Sequence, residues 1–597
     1  MSGKITRALL EWSILLIITI PSFIALINND YFPMHDDQHI ARLFLLDQGI
    51  MQGSIFPRWV GGLGFGFGYP LFNFYPPLIY YLGLLFHSVG FSYIWSIKLV
   101  FMVGFILGAI GIFHLTKSLT NKMSAYFSVA LFTYAFYHAV LIYVRGALAE
   151  FFAMSLIPYV FLFLLYTFQK KDSHNYIYLG VSIALLILCH PLIAFPTFLL
   201  LILSIIYFLT TIMLGDNTDK IDQLVSFGKR IIISIVIGLS LSAFFWIPSI
   251  TEKQYTLTDT ILTQELASYK LHYIYPQQFI YSPWGFGGSG VGLSDGMTMQ
   301  LGKMQIGFFL ISLFLLIVYI VGRLADREKI SRNYFFILCL FLFSLFMTTP
   351  YSSFIWDNVK YLWYLQFPWR FLTFTTVFVA VLGGYSIYLS EKILKQKKNL
   401  SLFFNKYLLI SATLVLSAMT VLIYQKYFHP EKYLHINDNQ RTTYDQLAWN
   451  VSRTSFEFIP KGVKTMTSSL KTTIPAIQKT DIAKNSYTLL SGNSQISQQI
   501  NLFTKKSYTI NVLTDSLIQI NTFYFPGWNA YLDDQSIQIN DNNSFKLIRV
   551  NVPKGYHKLI LKFENTIPRT VGNVLSIIGL MIILTLLLKK NRVEVIH

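Results

Sequence analysis

Pro76-Pro77-Leu78-Ile79-Tyr80-Tyr81-Leu82-Gly83-Leu84-Leu85-Phe86-His87-Ser88-Val89-Gly90-Phe91 is the stretch whose reading decides how this chain is laid out. It is apolar, yet it opens on two prolines, carries His87 and falls short of the roughly 20 residues that a helix needs to cross a bilayer. Twelve other runs are long enough, near residues 9–27, 95–116, 124–144, 147–168, 175–191, 192–213, 231–250, 304–322, 333–349, 370–390, 404–424 and 571–588. If 76–91 does not cross, then Lys4, Lys117, Lys170, Lys220, Arg323, Lys392 and Lys589, each with basic neighbours, all fall on one side. If it crosses, Lys117, Lys170 and most later clusters move outside, against the positive-inside rule. The stretch is therefore read as a helix lying against the membrane, with both termini cytoplasmic and 28–94 one large external loop.

Composition agrees with a polytopic membrane protein. Of the 597 residues 54% are hydrophobic and 13% charged, and the mean hydropathy is +0.50. The net charge of +18 resides mostly in short loops, and no basic cluster interleaved with aromatics marks a nucleic-acid surface. Cys189 and Cys339 both lie within apolar runs, so no disulfide framework is expected. Lys4 and Arg7 precede the first run, but no small-residue cleavage site follows Ile27, which makes an anchor of it.

Between the spans, one loop concentrates chemistry. It reads His35-Asp36-Asp37-Gln38-His39, then Phe56-Pro57-Arg58-Trp59, then Gly66-Phe67-Gly68-Tyr69-Pro70-Leu71-Phe72-Asn73-Phe74-Tyr75-Pro76-Pro77. Two carboxylates flanked by two imidazoles are costly beside a bilayer unless they face water, a metal or a charged substrate. Asp36 and Asp37 are the catalytic candidates. The residues after them form an amphipathic helical pattern, so one carboxylate, Asp37, is expected as its N-cap while Asp36 faces a cavity. A divalent metal would use Asp36, Asp37 and His39, although the spacing matches no strong zinc pattern.

The charge pattern puts Arg145-Gly146-Ala147-Leu148-Ala149-Glu150, the turn at His190-Pro191 and Trp356 to Arg370 on the same external face as this loop. Arg145 and Glu150 stand five apart, further than an i,i+4 pair. They form a structural ion pair, or Arg145, with Arg58 or Arg370, holds a phosphate in its planar fork while Glu150 orients a hydroxyl. His35, His39, Tyr75 and His190 complete the candidate substrate-binding set. Two glycine strings, Gly285-Phe286-Gly287-Gly288-Ser289-Gly290 and Gly62-Leu63-Gly64-Phe65-Gly66-Phe67-Gly68, lack the strand, helix and Lys-Ser/Thr context of nucleotide loops, so no nucleotide cofactor is expected.

Three domains follow: a transmembrane domain over 1–424, an external β-rich domain over 425–570, and a final span with a cytoplasmic tail over 571–597. Tyr508-Thr509-Ile510-Asn511-Val512-Leu513, Leu517-Ile518-Gln519-Ile520-Asn521 and Lys558-Leu559-Ile560-Leu561-Lys562-Phe563 alternate as strands do, with turns at Asp533-Asp534 and Pro553-Lys554-Gly555. Such spacing predicts a β-sandwich. Seventeen Lys and Arg against ten Asp and Glu between Lys426 and Arg569 give this domain a net charge of +7, suited to an anionic polymer or lipid headgroup. Trp528 and Tyr531 are either a core corner or a platform that binds an acceptor.

Asp36-Asp37, Phe56-Pro57-Arg58-Trp59, Tyr69 to Leu78 and Arg145 to Glu150 resemble the bacterial membrane proteins labelled "6-pyruvoyl-tetrahydropterin synthase-related". The tail Tyr524-Phe525-Pro526-Gly527-Trp528-Asn529-Ala530-Tyr531 with Val552-Pro553-Lys554-Gly555-Tyr556-His557 resembles YfhO-type membrane glycosyltransferases. Both groups are similar to the GT-C superfamily, whose members take sugar from a polyprenyl-phosphate carrier with an acidic residue in the first external loop. The resemblance implies that Asp36 or Asp37 has that role, although the pair here is contiguous rather than separated by one residue. It also implies an inverting glycosyltransferase of the cytoplasmic membrane, acting on its outer face on an envelope glycan, lipid or glycopolymer. The other function classes compatible with the sequence are a transporter or flippase of lipid-linked sugars and a non-catalytic envelope assembly protein.

Overall fold

The computed structural model describes residues 2–169, 174–215, 218–262, 267–322, 327–396, 402–469 and 472–594. Of the basic loop residues that orient the sequence reading, Lys170, Lys171, Arg323, Lys397 and Lys398 lie outside these. Among the described residues nine helices are long and apolar enough to cross a membrane. A tenth is a pair, Lys122–Thr133 and Phe136–Val144, bent by 45°. The runs expected at 9–27 and 175–191 form shorter apolar helices, Leu9–Ser22 and Asn175–Cys189. By length and composition nine or ten of the twelve expected runs qualify as spans, and the other two are these shorter helices. The decisive stretch forms a helix over Leu78–Ser88, 11 residues long. At 1.5 Å per residue that is about 16 Å, half of the roughly 30 Å hydrocarbon core.

By its contacts the chain divides into two compact units. The first comprises Met1–Asp37, Lys98–Leu239 and Ser268–His435. Its centre is formed by Leu148–Gln169 and Pro368–Lys395, predominantly apolar helices whose surfaces are almost wholly buried. Lys303–Val321 and Tyr407–Tyr427 are equally apolar but keep most of their surface open, as lipid-facing helices do.

The second unit comprises Gln38–Ile97, Ser240–Ala267 and Ile436–His597. It contains a hairpin, β1 (Val60–Gly62) and β2 (Gly66–Tyr69), and a small pair, β3 (Thr465–Thr467) and β4 (Thr473–Pro475). The main sheet holds β5 (Tyr487–Asn501), β6 (Lys505–Phe523), β7 (Trp528–Leu532), β8 (Gln535–Ile537), β9 (Leu547–Val552) and β10 (Gly555–Phe563). The two alternating segments at 508–513 and 517–521 prove to be one strand, β6. It pairs with β5 on one edge, and with β10 and then β9 along the other. All six strands therefore join a single antiparallel sheet. The two separately paired sheets expected of a sandwich are not seen among the described residues. Tyr508, Ile510, Val512, Ile518 and Ile520 of β6 are buried at alternate positions, which fixes the covered face.

The helix after the acidic pair runs from His39 to Met51, with Gln38 as its N-cap and no side-chain cap bond. The N-cap position thus falls on Gln38, one residue after the expected Asp37. The reason lies upstream, where backbone pairing holds the pair in a turn outside the helix.

Candidate functional site

Three anchors of the first unit position Asp36. The Lys98 ammonium donates to the carbonyl and side-chain oxygens of Asn28 at 2.9 and 3.0 Å. Tyr31 and Leu434 exchange two backbone hydrogen bonds. The His35 and Asp36 N–H groups then donate to the carbonyls of Val144 and Arg145 at 3.3 and 2.8 Å. The His35 imidazole lies 3.0 Å from the Phe286 carbonyl. Asp36 is exposed, and its carboxylate accepts no hydrogen bond among the described residues.

Val140–Val144 is a π-helical turn, a local widening common at functional sites. It delivers the chain to Arg145 and to Gly146, whose φ of +63° turns the backbone before the helix that starts at Leu148. A Cβ at Gly146 would run into the Met34 side chain. This bend explains how residues five apart meet: Arg145 is not on the helix that carries Glu150, so helical spacing does not separate them. Arg145 Nη1 donates to Glu150 Oε2 at 2.9 Å. Gly146→Ala combines a left-handed strain with a collision. It is expected to cost at least about 1 kcal/mol, read as a lowered Tm of the detergent-purified protein.

Glu150 is shared. Arg370 Nε stands 3.3 Å from the same Oε2, and the Tyr137 hydroxyl donates to Oε1. Arg370 Nη1 is held by the Leu365 carbonyl at 2.8 Å, and the Arg145 guanidinium lies 4.5 Å from the Trp369 ring centroid. All three charged groups are buried. Burial alone would push Arg145 down, but Glu150 and then Asp36 oppose it and hold the guanidinium charged, with its pKa raised. His190 Nδ1 accepts the Ile193 N–H at 3.1 Å, capping the helix that begins at Pro191. Burial, and then the Arg370 charge, push this imidazole down to about 3, so it is neutral near pH 7. The buried group thus sets two cations against one anion, with Asp36 beside it on the open side. Such an excess of planar donors suits a phosphate.

The remaining candidates belong to the second unit, and there most are committed to packing. Arg58 donates to Asn73 Oδ1 at 3.2 Å, the Phe244 carbonyl at 2.7 Å and Asn573 Oδ1 at 3.0 Å. Asn73 in turn donates to Glu252, which pairs with Arg569 at 3.0 Å. These three bonds commit Arg58, offered by the sequence as a phosphate ligand, to a network within the second unit. Burial and then Arg569 bring it down to about 9. His39 is buried, with Nδ1 3.0 Å from the Tyr80 hydroxyl, and the Tyr75 ring covers the Arg42 guanidinium at 3.7 Å. Trp528 is core: it meets Trp59 edge-on at 5.5 Å and Phe563 at 5.4 Å. Tyr531 donates to Glu564 at 3.0 Å. Among the described residues no three His, Cys, Asp or Glu side chains gather as metal ligands.

Tyr137, Trp369, Glu252 and Arg569 were not among the candidates. Tyr137 is one tyrosine in an apolar run, and nothing local distinguishes it. Glu252 and Arg569 stand just outside apolar runs, where a charge ordinarily faces water.

Residues 72–428 match the family model described as "6-pyruvoyl-tetrahydropterin synthase related domain; membrane protein". No curated protein matches the chain. Among solved structures it is similar to the arabinofuranosyltransferase AftD from Mycobacteria, at 12% identity and a TM-score of 0.43, covering 71% of this chain and 27% of that one. It is also similar to the Archaeoglobus fulgidus oligosaccharyltransferase tethered to an acceptor peptide, at 13% identity and a TM-score of 0.43, covering 71% of this chain and 56% of that one. For ArnT from Cupriavidus metallidurans bound to undecaprenyl phosphate the figures are 11%, 0.29, 71% and 89%. The chain therefore spans about a quarter of AftD and just over half of the archaeal enzyme.

Proposed function

This chain belongs to the 6-pyruvoyl-tetrahydropterin synthase related family of membrane proteins, and we propose that it is a glycosyltransferase moving a sugar from a polyprenyl-phosphate carrier to an envelope glycan, lipid or glycopolymer. One observation carries the reading: Arg145 and Arg370, buried, share the single carboxylate of Glu150 beside an exposed Asp36 whose N–H is bonded to the Arg145 carbonyl.

Asp36 accepts the proton of an acceptor hydroxyl as that oxygen attacks the anomeric carbon. The bond between that carbon and the phosphate oxygen breaks as the glycosidic bond forms, and the carrier phosphate leaves with the electron pair. Attack from the face opposite the phosphate inverts the anomeric configuration. Arg145 and Arg370 stabilise the charge gathering on the departing phosphate, so no acid is needed there. Glu150 holds the two guanidinium groups, Tyr137 holds Glu150, and neither touches a reacting atom. Counted with all twelve apolar runs crossing, the bias of Lys and Arg in alternate loops supports placing this site on the extracytoplasmic face, with the termini inside.

Arg145→Lys keeps the charge and loses the planar fork. Turnover is expected to fall by about tenfold or more, roughly 1.4 kcal/mol of transition-state stabilisation; unchanged kinetics would leave Arg145 a partner of Glu150 and nothing more. The reading as a whole is tested by mass-spectrometric profiling of envelope lipids and glycans in a deletion strain. A missing sugar with accumulated carrier-linked donor is the expected result, and an unaltered profile counts against transfer.

A further inference from the structure

Inside the second unit, the β1–β2 hairpin and the β6 strand border an open pocket of about 250 Å³, just under the about 300–1,000 Å³ typical of drug-sized sites and so scaled to a single small polar ligand. Phe67 of the hairpin packs on Phe523 of β6 at 5.1 Å, which holds the two walls together. One wall is bare glycine backbone. At Gly66, where φ is +83°, a Cβ would collide with the Tyr444 hydroxyl, so the ring closes directly over main chain. The opposite wall carries amides and two lysines, Lys484 and Lys506, and no Asp or Glu lines the pocket.

Lys506 is the unusual group. Its ammonium has one hydrogen-bond partner among the described residues, Asn501 Oδ1 at 2.8 Å, and no carboxylate faces it. Burial pushes it down to about 8. Lys484 is exposed at the rim. A half-buried cation, amide donors, aromatic surface and accessible peptide groups are together the chemistry that grips a sugar bearing a negative group: rings against its C–H faces, amides to hydroxyls, ammonium to the charge.

We infer that this pocket binds an anionic saccharide unit, a sugar carrying a carboxylate or a phosphate. Binding here needs no turnover, so it stands or falls apart from the transfer reading. The test is calorimetric titration of the full-length purified protein in detergent with glucuronate, glucose 6-phosphate, glucose and inorganic phosphate. Glucuronate or glucose 6-phosphate should saturate, with glucose and phosphate each at least about tenfold weaker, and the preferred sugar identifies the charged group. Lys506→Gln should weaken that sugar by about tenfold with an unchanged Tm, and Lys484→Gln, at the rim and clear of the strand interior, should weaken it by a smaller factor. Glucose binding as tightly as either charged sugar, phosphate alone binding as tightly as glucose 6-phosphate, the absence of any saturation up to about 10 mM, or indifference to both substitutions would each overturn the assignment.

Discussion

Asp36→Asn is expected to express and insert as the wild type does and to transfer sugar at least about a hundredfold more slowly, the lower end of general-base removal. Neither half of this expectation is automatic. Asp36 is exposed and its carboxylate accepts no hydrogen bond among the described residues, so folding loses little, and the N–H that anchors the residue to Arg145 survives the change. What disappears is the proton acceptor. Asp37→Asn, at the half-buried neighbour, should retain measurable transfer. Equal loss in both variants would move the chemistry to the pair, and full activity in Asp36→Asn would leave the loop without a base.

Glu150→Gln should do the opposite, acting on the fold before the rate. The substitution leaves Arg145 and Arg370 buried without their shared anion, and breaking a buried ion pair from one side costs about 3–5 kcal/mol. Chemical denaturation in detergent would read it. Adding Arg370→Met should recover part of the loss, because the two positions share one interaction and their effects do not add. If Glu150→Gln is as stable as the wild type, the two arginines are not held by this carboxylate.

The sequence shows the helices because apolar length and loop charge are local properties, and 76–91 is too short and too proline-led to be a span. It conceals the bend after Thr133, since neither Tyr134 nor Ala135 is a helix breaker. Arg145, Glu150, His190 and Arg370 could be grouped from the charge pattern alone, although Gly146 is what closes the gap between the first two. Arg58 could not be assigned in the same way. Its acceptors stand 15, 186 and 515 residues away, and a basic residue in a conspicuous motif looks like a ligand until they are in place. The N-cap position falls on Gln38 for a related reason, because Val144 and Arg145 hold His35 and Asp36 in the turn before the helix. Trp528 had two readings open, and its burial and edge contact with Trp59, distant in sequence, select the core.

The most direct measurement is transfer by the purified wild-type protein, with a polyprenyl-phosphate sugar and an envelope acceptor fraction, followed by NMR of the product's anomeric centre. A new glycosidic bond of inverted configuration, absent with Asp36→Asn, is the predicted result. Donor that remains intact, or is only moved across the bilayer of a proteoliposome, would contradict it.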